Sequence, residues 1–135
     1  MKGVILAGGS GSRLRPVTKV VNKHLLPVYD RPMVEYAIAA MVDAGIIEIM
    51  VVTGGQDQSA FRTVLGAGHE LGVRRLQFAA QDKARGIADA LSKAEHFAEG
   101  GSVCVMLADN LFGQSLEPYV ADFASGPEGA LLLLK

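Results

Sequence analysis

Short, continuously apolar runs alternate with amphipathic stretches along this chain, and glycine or proline punctuates nearly every junction. Lys2 to Ala7 reads as a first strand, apolar on both faces and ended by glycine. Met33 to Asp43 has helical spacing, begins near Asp30-Arg31-Pro32 and stops at Gly45. Ile46 to Thr53 is a second strand, closed by Gly54-Gly55. Asp57 or Ser59 is placed to cap a short helix through Leu65, with Phe61, Val64 and Leu65 inward. Arg75 to Ala80 is a third, more polar strand. Ile87, Leu91, Ala94 and Phe97/Ala98 recur at helical spacing, which predicts one amphipathic helix over 87–98. Ser102 to Ala108 is a fourth strand, Leu116 to Ala124 a short helix and Ala130 to Leu134 a fifth strand.

Strands that are apolar on both faces belong to sheets covered on both sides. Strand and helix in strict alternation predict right-handed βαβ units, hence an α/β, Rossmann-like, mostly parallel sheet with helices on both faces. Ligands of such sheets bind beyond the carboxyl ends of the strands. Three features converge there. Gly8-Gly9-Ser10-Gly11-Ser12 follows the first strand, Gln81 to Gly86 follows the third, and Asp109-Asn110 follows the fourth.

Composition narrows the classes. The 135 residues suit one domain, 1–135, with a real core. Half are hydrophobic and 20% are charged, which is the balance of a globular chain. A net charge of −1 argues against a nucleic-acid polymer or an anionic membrane as partner, because both require a basic excess. The single cysteine, Cys104, lies in the fourth apolar run and reads as a small core residue in a reducing compartment. No run has the length needed to span a bilayer, and the N-terminal apolar run is too short for a signal-peptide core. A soluble, cytoplasmic protein is expected.

A strand running into Gly8, Gly9 and Gly11 with Arg13 and Arg15 just beyond is suited to hold phosphates. Glycine lets the backbone approach, amide N–H groups face the anion, and arginine matches phosphate oxygens. The loop lacks the Gly-Lys-Ser/Thr of a Walker loop. It also lacks the third small residue of the dinucleotide fingerprint, where Leu14 stands. Each feature alone has an ordinary explanation: a tight turn, a solvated Lys23, a turn at Asp109-Asn110, a loop filler at His24. His69 and His96 read as surface residues.

The segments Leu6-Ala-Gly-Gly-Ser-Gly-Ser-Arg-Leu-Arg-Pro-Val-Thr18 and Asn22-Lys-His-Leu-Leu-Pro-Val-Tyr-Asp-Arg-Pro-Met33, followed by Gln81, Gly86-Ile-Ala and Asp109-Asn110, resemble the sugar-nucleotide pyrophosphorylases. The likeness is to the glucose-1-phosphate thymidylyltransferase branch and covers nearly the whole chain. The resemblance implies the nucleotide-diphospho-sugar transferase fold. It implies transfer of a nucleotidyl group from a nucleoside triphosphate, dTTP before UTP, to a sugar-1-phosphate, glucose-1-phosphate first, with release of pyrophosphate. Leu6, Ala7, Gly8, Gly9, Gly11, Ser12, Arg13, Lys23, His24, Gln81, Gly86 and Asp109 would then form the nucleotide site. Arg13 would steady the departing pyrophosphate, and Lys23 would sit by the α-phosphate or the sugar phosphate. Gln81 and Gly86 would read the pyrimidine, and Asp109 would hold Mg²⁺.

The chain departs from that family pattern at two positions. Ala108 stands where glycine is usual, and Asp89 where glutamine or histidine is common. The family's members are longer, so the resemblance covers the N-terminal part of a catalytic domain that is incomplete here. A second metal-binding aspartate and the residues that hold the sugar phosphate belong to the other part. An apolar strand at the end of the chain implies truncation or cover by self-association, as in a homo-oligomer. Two other readings follow from the residues. One is a non-catalytic nucleotide-binding or regulatory module that lacks the sugar half. The other is an NAD-type oxidoreductase domain, against which stand the missing third glycine and a second strand that ends in Thr53-Gly54-Gly55 rather than in an acidic ribose partner.

Overall fold

A computed structural model describes residues 1–9, 11–83, 85–126 and 129–133. Its centre is a four-stranded parallel sheet of β1 (Lys2–Ala7), β4 (Glu48–Gly54), β5 (Arg75–Gln81) and β6 (Val103–Leu107), in the order β5-β4-β1-β6. A small antiparallel hairpin, β2 (Pro27–Val28) with β3 (Arg31–Pro32), lies in the long connection after β1. The helices are α1 (Met33–Asp43), α2 (Gln58–Leu65), α3 (Ile87–Ser92), α4 (Glu95–Ala98) and α5 (Glu117–Ser125).

Continuous hydrophobicity in the strands is explained by two cores. Ile5 and Ala7 of β1 and Ile49 and Val51 of β4 face Val34, Ile38 and Met41 of α1 and Phe61 of α2. The alternate residues, Val4, Leu6, Met50 and Val52, face Ala90, Ala94 and Phe97 on the other side. The ladders set the strand ends level: Ala7 pairs with Thr53, Gly54 with Gln81, and Leu6 with Leu107. The loops that leave β1, β5 and β6 therefore start side by side.

Helix packing differs from expectation in three places. Val64 is 43% exposed, and α2 buries only Phe61 and Leu65. Ile87 is also exposed, and the buried positions beyond it are Ala90, Ala94 and Phe97. The helix expected over 87–98 is divided. Ser92 Oγ donates to the Asp89 carbonyl, and the next amides, Lys93 and Ala94, bond three residues back to Ala90 and Leu91. A hydroxyl that takes a helical acceptor tightens the turn in this way.

Residues 129–133 form no strand. Leu131, Leu132 and Leu133 are exposed and find no ladder partner among the described residues. An apolar run supplies a face to bury but not the neighbouring strand it needs. Leu134 and Lys135 lie outside the described residues. Cys104 is half-buried rather than enclosed, because β6 borders the sheet; burial still pushes its thiol up.

Candidate functional site

The connection from β1 to α1 folds through three short 3₁₀ turns, Ser12–Leu14, Val17–Lys19 and Lys23–Leu25. Gly9 has φ 119° and Gly11 φ 55°, so both take backbone shapes that favour glycine. Gly11 is also packed closely: a Cβ there would lie 2.9 Å from Thr18 Cγ2 and 3.2 Å from Lys23 Cβ. Thr18 Oγ1 donates to the Gly11 carbonyl at 2.7 Å, closing the loop over the start of the next turn. Arg13 and Arg15 are exposed, and among the described residues neither makes an ion pair. Ser12 opens the first turn, on the exposed side of the loop. Leu6 and Ala7, the last residues of β1, are buried beneath it.

Asn22 organises the next segment. Its Oδ1 accepts from the His24 backbone amide at 3.0 Å and lies 2.8 Å from His24 Nδ1. Its Nδ2 donates to Asp57 Oδ2 at 2.7 Å. Asp57 occupies the N-cap position of α2, as the sequence suggests, but its carboxylate bonds to Asn22 and not to the helix amides. His24 is 1% exposed. Burial, then the neighbouring Lys23 charge, lowers its pKa to about 4 against weaker opposite pulls from Asp109, the Ala7 backbone and Asp57. A neutral imidazole therefore anchors the segment at neutral pH.

Lys23 stands directly before this anchored residue, at the sheet edge. Lys23 Nζ donates to Asp109 Oδ2 at 2.6 Å. Partial burial alone would raise the Asp109 carboxyl, but the hydrogen bond and charge of Lys23 outweigh it and hold the group below its ordinary value. Ala108, just before it, is fully buried in the core with Ile5 and Leu116. Its methyl is thus accommodated, and its amide donates to the Leu6 carbonyl at 3.0 Å, which ties the Asp109 turn to β1.

Gln81 ends β5 and is 7% exposed. Its Nε2 donates to the Gly86 carbonyl at 3.2 Å and to Asp89 Oδ2 at 2.8 Å. A Cβ on Gly8 would lie 3.4 Å from Gln81 Oε1, so the glycine loop and Gln81 share one surface. Gly86 has φ 94° and precedes α3. Beyond Gln81 a cleft of about 150 Å³ is lined by Asp82, Lys83, Arg85, Asp89 and Lys93.

The structure thus assembles Gly8, Gly9, Gly11, Lys23, His24, Gln81, Gly86 and Asp109 along one sheet edge, with Arg13 on the exposed rim. It adds contacts for Thr18 and Asn22, to which the sequence alone assigns no role at the site, and gives a partner, Gln81, to Asp89, which the sequence marks only as a departure from the family pattern. The only sequence signal for Asn22 is an Asx residue two positions before His24, the spacing of a side-chain turn. His69 and His96 are exposed, as expected. Among the described residues no group of three or more His, Cys, Asp and Glu is positioned to hold a metal, so Asp109 stands as a single carboxylate.

Residues 2–134 match the family described as nucleotidyl transferase. The chain belongs to that family. It is 47% identical over 131 residues to the glucose-1-phosphate thymidylyltransferase of Neisseria gonorrhoeae, covering 96% of this chain and 45% of that protein. It is 49% identical over 121 residues to the enzyme of that name from Actinoplanes sp., covering 89% of this chain and 40% of the relative. A Bacillus anthracis crystal structure assigned as a glucose-1-phosphate thymidylyltransferase, solved with sucrose, superposes with a TM-score of 0.92 at 46% identity. That match covers 96% of this chain and 52% of the other. UDP-glucose pyrophosphorylase complexed with UDP-glucose shares the fold at 23% identity and a TM-score of 0.74, over 92% of this chain and 53% of that one. The chain spans less than half the length of the curated relatives it matches. Membership of a nucleotidyl transferase family removes the oxidoreductase reading.

Proposed function

We propose that this chain forms the nucleotide side of a sugar-1-phosphate nucleotidyltransferase, with dTTP before UTP as the nucleotide and glucose-1-phosphate as the acceptor. The observation that carries the reading is the meeting of Lys23 and Asp109 at 2.6 Å beside a glycine loop held in left-handed backbone. Relatives bearing the name glucose-1-phosphate thymidylyltransferase support the choice of nucleotide and sugar.

The sugar phosphate oxygen is already anionic, so the transfer needs no strong base. It needs the triphosphate fixed and its charge neutralised. In this reading, amides of Gly8, Gly9, Gly11 and Ser12 receive the triphosphate, with Leu6 and Ala7 as the floor. Arg13 meets the pyrophosphate from the rim. Lys23 turns to the α-phosphate or sugar phosphate, held at its base by the buried, neutral His24. Gln81 and Gly86 meet the base. Asp109 suits Mg²⁺, which keeps waters and takes phosphate oxygens in addition to one carboxylate. When bound, the ion would offset phosphate charge. Small-molecule substrates, a cytoplasmic setting and self-association follow from the same reading, as does the chain's standing as one N-terminal nucleotide-binding unit.

Thermal melting with dTTP, UTP, ATP and GTP in the presence of Mg²⁺ tests the nucleotide side, since only a bound ligand raises the midpoint. A rise with dTTP or UTP is expected. Phosphate release from dTTP and glucose-1-phosphate with added pyrophosphatase tests transfer, and slow turnover is expected of this chain alone. Nucleotide binding with no exchange of labelled pyrophosphate would favour a non-catalytic module instead. Absence of any nucleotide-dependent shift would overturn the proposal.

A further inference from the structure

The Gln81 amide is fixed in one orientation. Its Nε2 faces the Gly86 carbonyl at 3.2 Å and Asp89 Oδ2 at 2.8 Å. Both partners are acceptors: one is a carbonyl oxygen, the other a carboxylate oxygen. Turning the amide over would aim oxygen lone pairs at two acceptors, so the nitrogen has to face them. Asp89 is the stronger of the two, because its charge shortens and strengthens the bond.

Gln81 Oε1 is therefore directed the other way, towards Gly8, where a Cβ would lie 3.4 Å from it. Among the described residues the Gln81 side chain's hydrogen bonds are all made by Nε2, so Oε1 stays open to solvent and to a ligand. An acceptor on a side chain that is 7% exposed, beside the glycine loop, presents one polarity to whatever base reaches it. Thymine and uracil offer a ring N–H at that edge. Cytosine offers a lone pair.

We propose that Asp89 is a positioning residue that sets base selection by holding Gln81 as an acceptor, so that the site takes pyrimidines with a ring N–H and rejects cytosine. This rests on the reading above that Gln81 meets the base. A mismatched base would cover this acceptor without giving it a donor, a penalty that reads out as at least about tenfold in affinity.

The test is the binding of dTTP, UTP and dCTP, each with Mg²⁺, to the wild-type chain, Asp89→Ala and Asp89→Glu. The wild type should bind dTTP and UTP at least about tenfold more tightly than dCTP. In Asp89→Ala the ratio should fall towards one, because a single weaker acceptor then holds the amide, and Asp89→Glu should restore most of it. The Gln81 side-chain amide protons, read by NMR in the ligand-free protein, should exchange faster in Asp89→Ala than in the wild type. A merely structural role would weaken all three nucleotides together and leave their ratio intact. If dTTP still binds to Asp89→Ala with the wild-type ratio, the inference is overturned and the proposed function stands. If the wild type binds none of the three, both fall.

Discussion

Lys23 Nζ and Asp109 Oδ2 lie 2.6 Å apart, although the two residues are separated by 86 positions in sequence. The β1–β6 ladder and the Ala108–Leu6 hydrogen bond bring the Asp109 turn beside β1, and the buried His24, bonded to Asn22, anchors the backbone next to the lysine. The contact stands in the ligand-free protein where phosphate would later compete for the lysine. It satisfies two charges that the proposed chemistry would use separately.

Removal of the lysine should therefore affect binding more than folding. The pair is partly solvated, with side-chain exposures of 24% and 37%, and such pairs contribute about 1 kcal/mol or less. Lys23→Ala should change unfolding free energy by no more than that, while weakening dTTP about tenfold or more. Urea unfolding and titration calorimetry measure the two effects. A large stability loss with unchanged affinity would make Lys23 a structural residue.

The His24 site should make the chain acid-sensitive at mild pH. The folded value of about 4 lies below the ordinary 6.5, so the unfolded chain binds the proton more readily. Stability is fully present above pH 6.5 and is lost as pH falls through that value towards 4. By pH 5 the loss should reach about 2 kcal/mol relative to about pH 7.5. Urea unfolding without metal, at a series of pH values, should show this slope, and His24→Gln should flatten it between pH 6.5 and 4.

Asn22 should matter beyond its size. Asn22→Ala removes the acceptor shared by the His24 amide and ring and leaves Asp57 without its donor. Loss of partners to buried polar groups costs about 1–3 kcal/mol. Hydrogen exchange at the His24 amide should accelerate while amides in β4 remain protected.

The sheet is legible in the sequence because its chemistry is local. Lys2–Ala7 and Met33–Asp43 have the predicted bounds, since an all-apolar run between glycines and a helical run between proline and glycine each admit few alternatives. Side-chain direction is less legible. Val64 and Ile87 have the right spacing for burial, but a helix turns its face according to what the sheet offers. The expected strand Ala130 to Leu134 forms none over its described residues 130–133, because hydrophobicity says what a segment could bury and not which strand it will pair with. At the candidate site, Lys23, Gln81 and Asp109 are recognisable from motif residues. Asn22 lies in a motif and Asp89 departs from one, but the contacts of both are illegible because they depend on partners brought near only by folding: Asp57 across the chain for one, the Gln81 amide for the other.

Beneath β1, Gly3 marks a packing limit. A Cβ there would lie 2.5 Å from Met41 Sδ, 3.1 Å from Ile46 Cγ2 and 3.2 Å from Ile49 Cγ1. Overpacking of this kind costs about 1–3 kcal/mol. Gly3→Ala should lower stability by that amount, and combining it with Met41→Ala should cost less than the sum of the two, since the second change removes the clashing atom. Additive losses in urea unfolding would show that the methyl is relieved by some other route.

The two loop glycines separate strain from crowding. Gly9 has φ 119° and, among the described residues, nothing within 4 Å of the place a Cβ would take, whereas Gly11 has φ 55° and Thr18 Cγ2 at 2.9 Å from that place. Alanine at Gly9 meets only the backbone penalty of an unfavourable φ, about 1–3 kcal/mol. At Gly11 the φ lies in the left-handed basin that alanine can reach for about 1–2 kcal/mol, but the methyl must also displace Thr18, whose hydroxyl holds the Gly11 carbonyl. Gly11→Ala should therefore disturb the Thr18 contact and the Lys23 backbone as well as the loop. The pairing Gly11→Ala with Thr18→Ser keeps the hydroxyl and removes the crowding methyl, so it should recover part of the lost dTTP affinity. The same serine should give no recovery in Gly9→Ala, where no side chain is in the way. Affinities from titration calorimetry distinguish the two cases, and equal rescue of both variants would mean that Thr18 acts on the loop as a whole and not through its contact with Gly11.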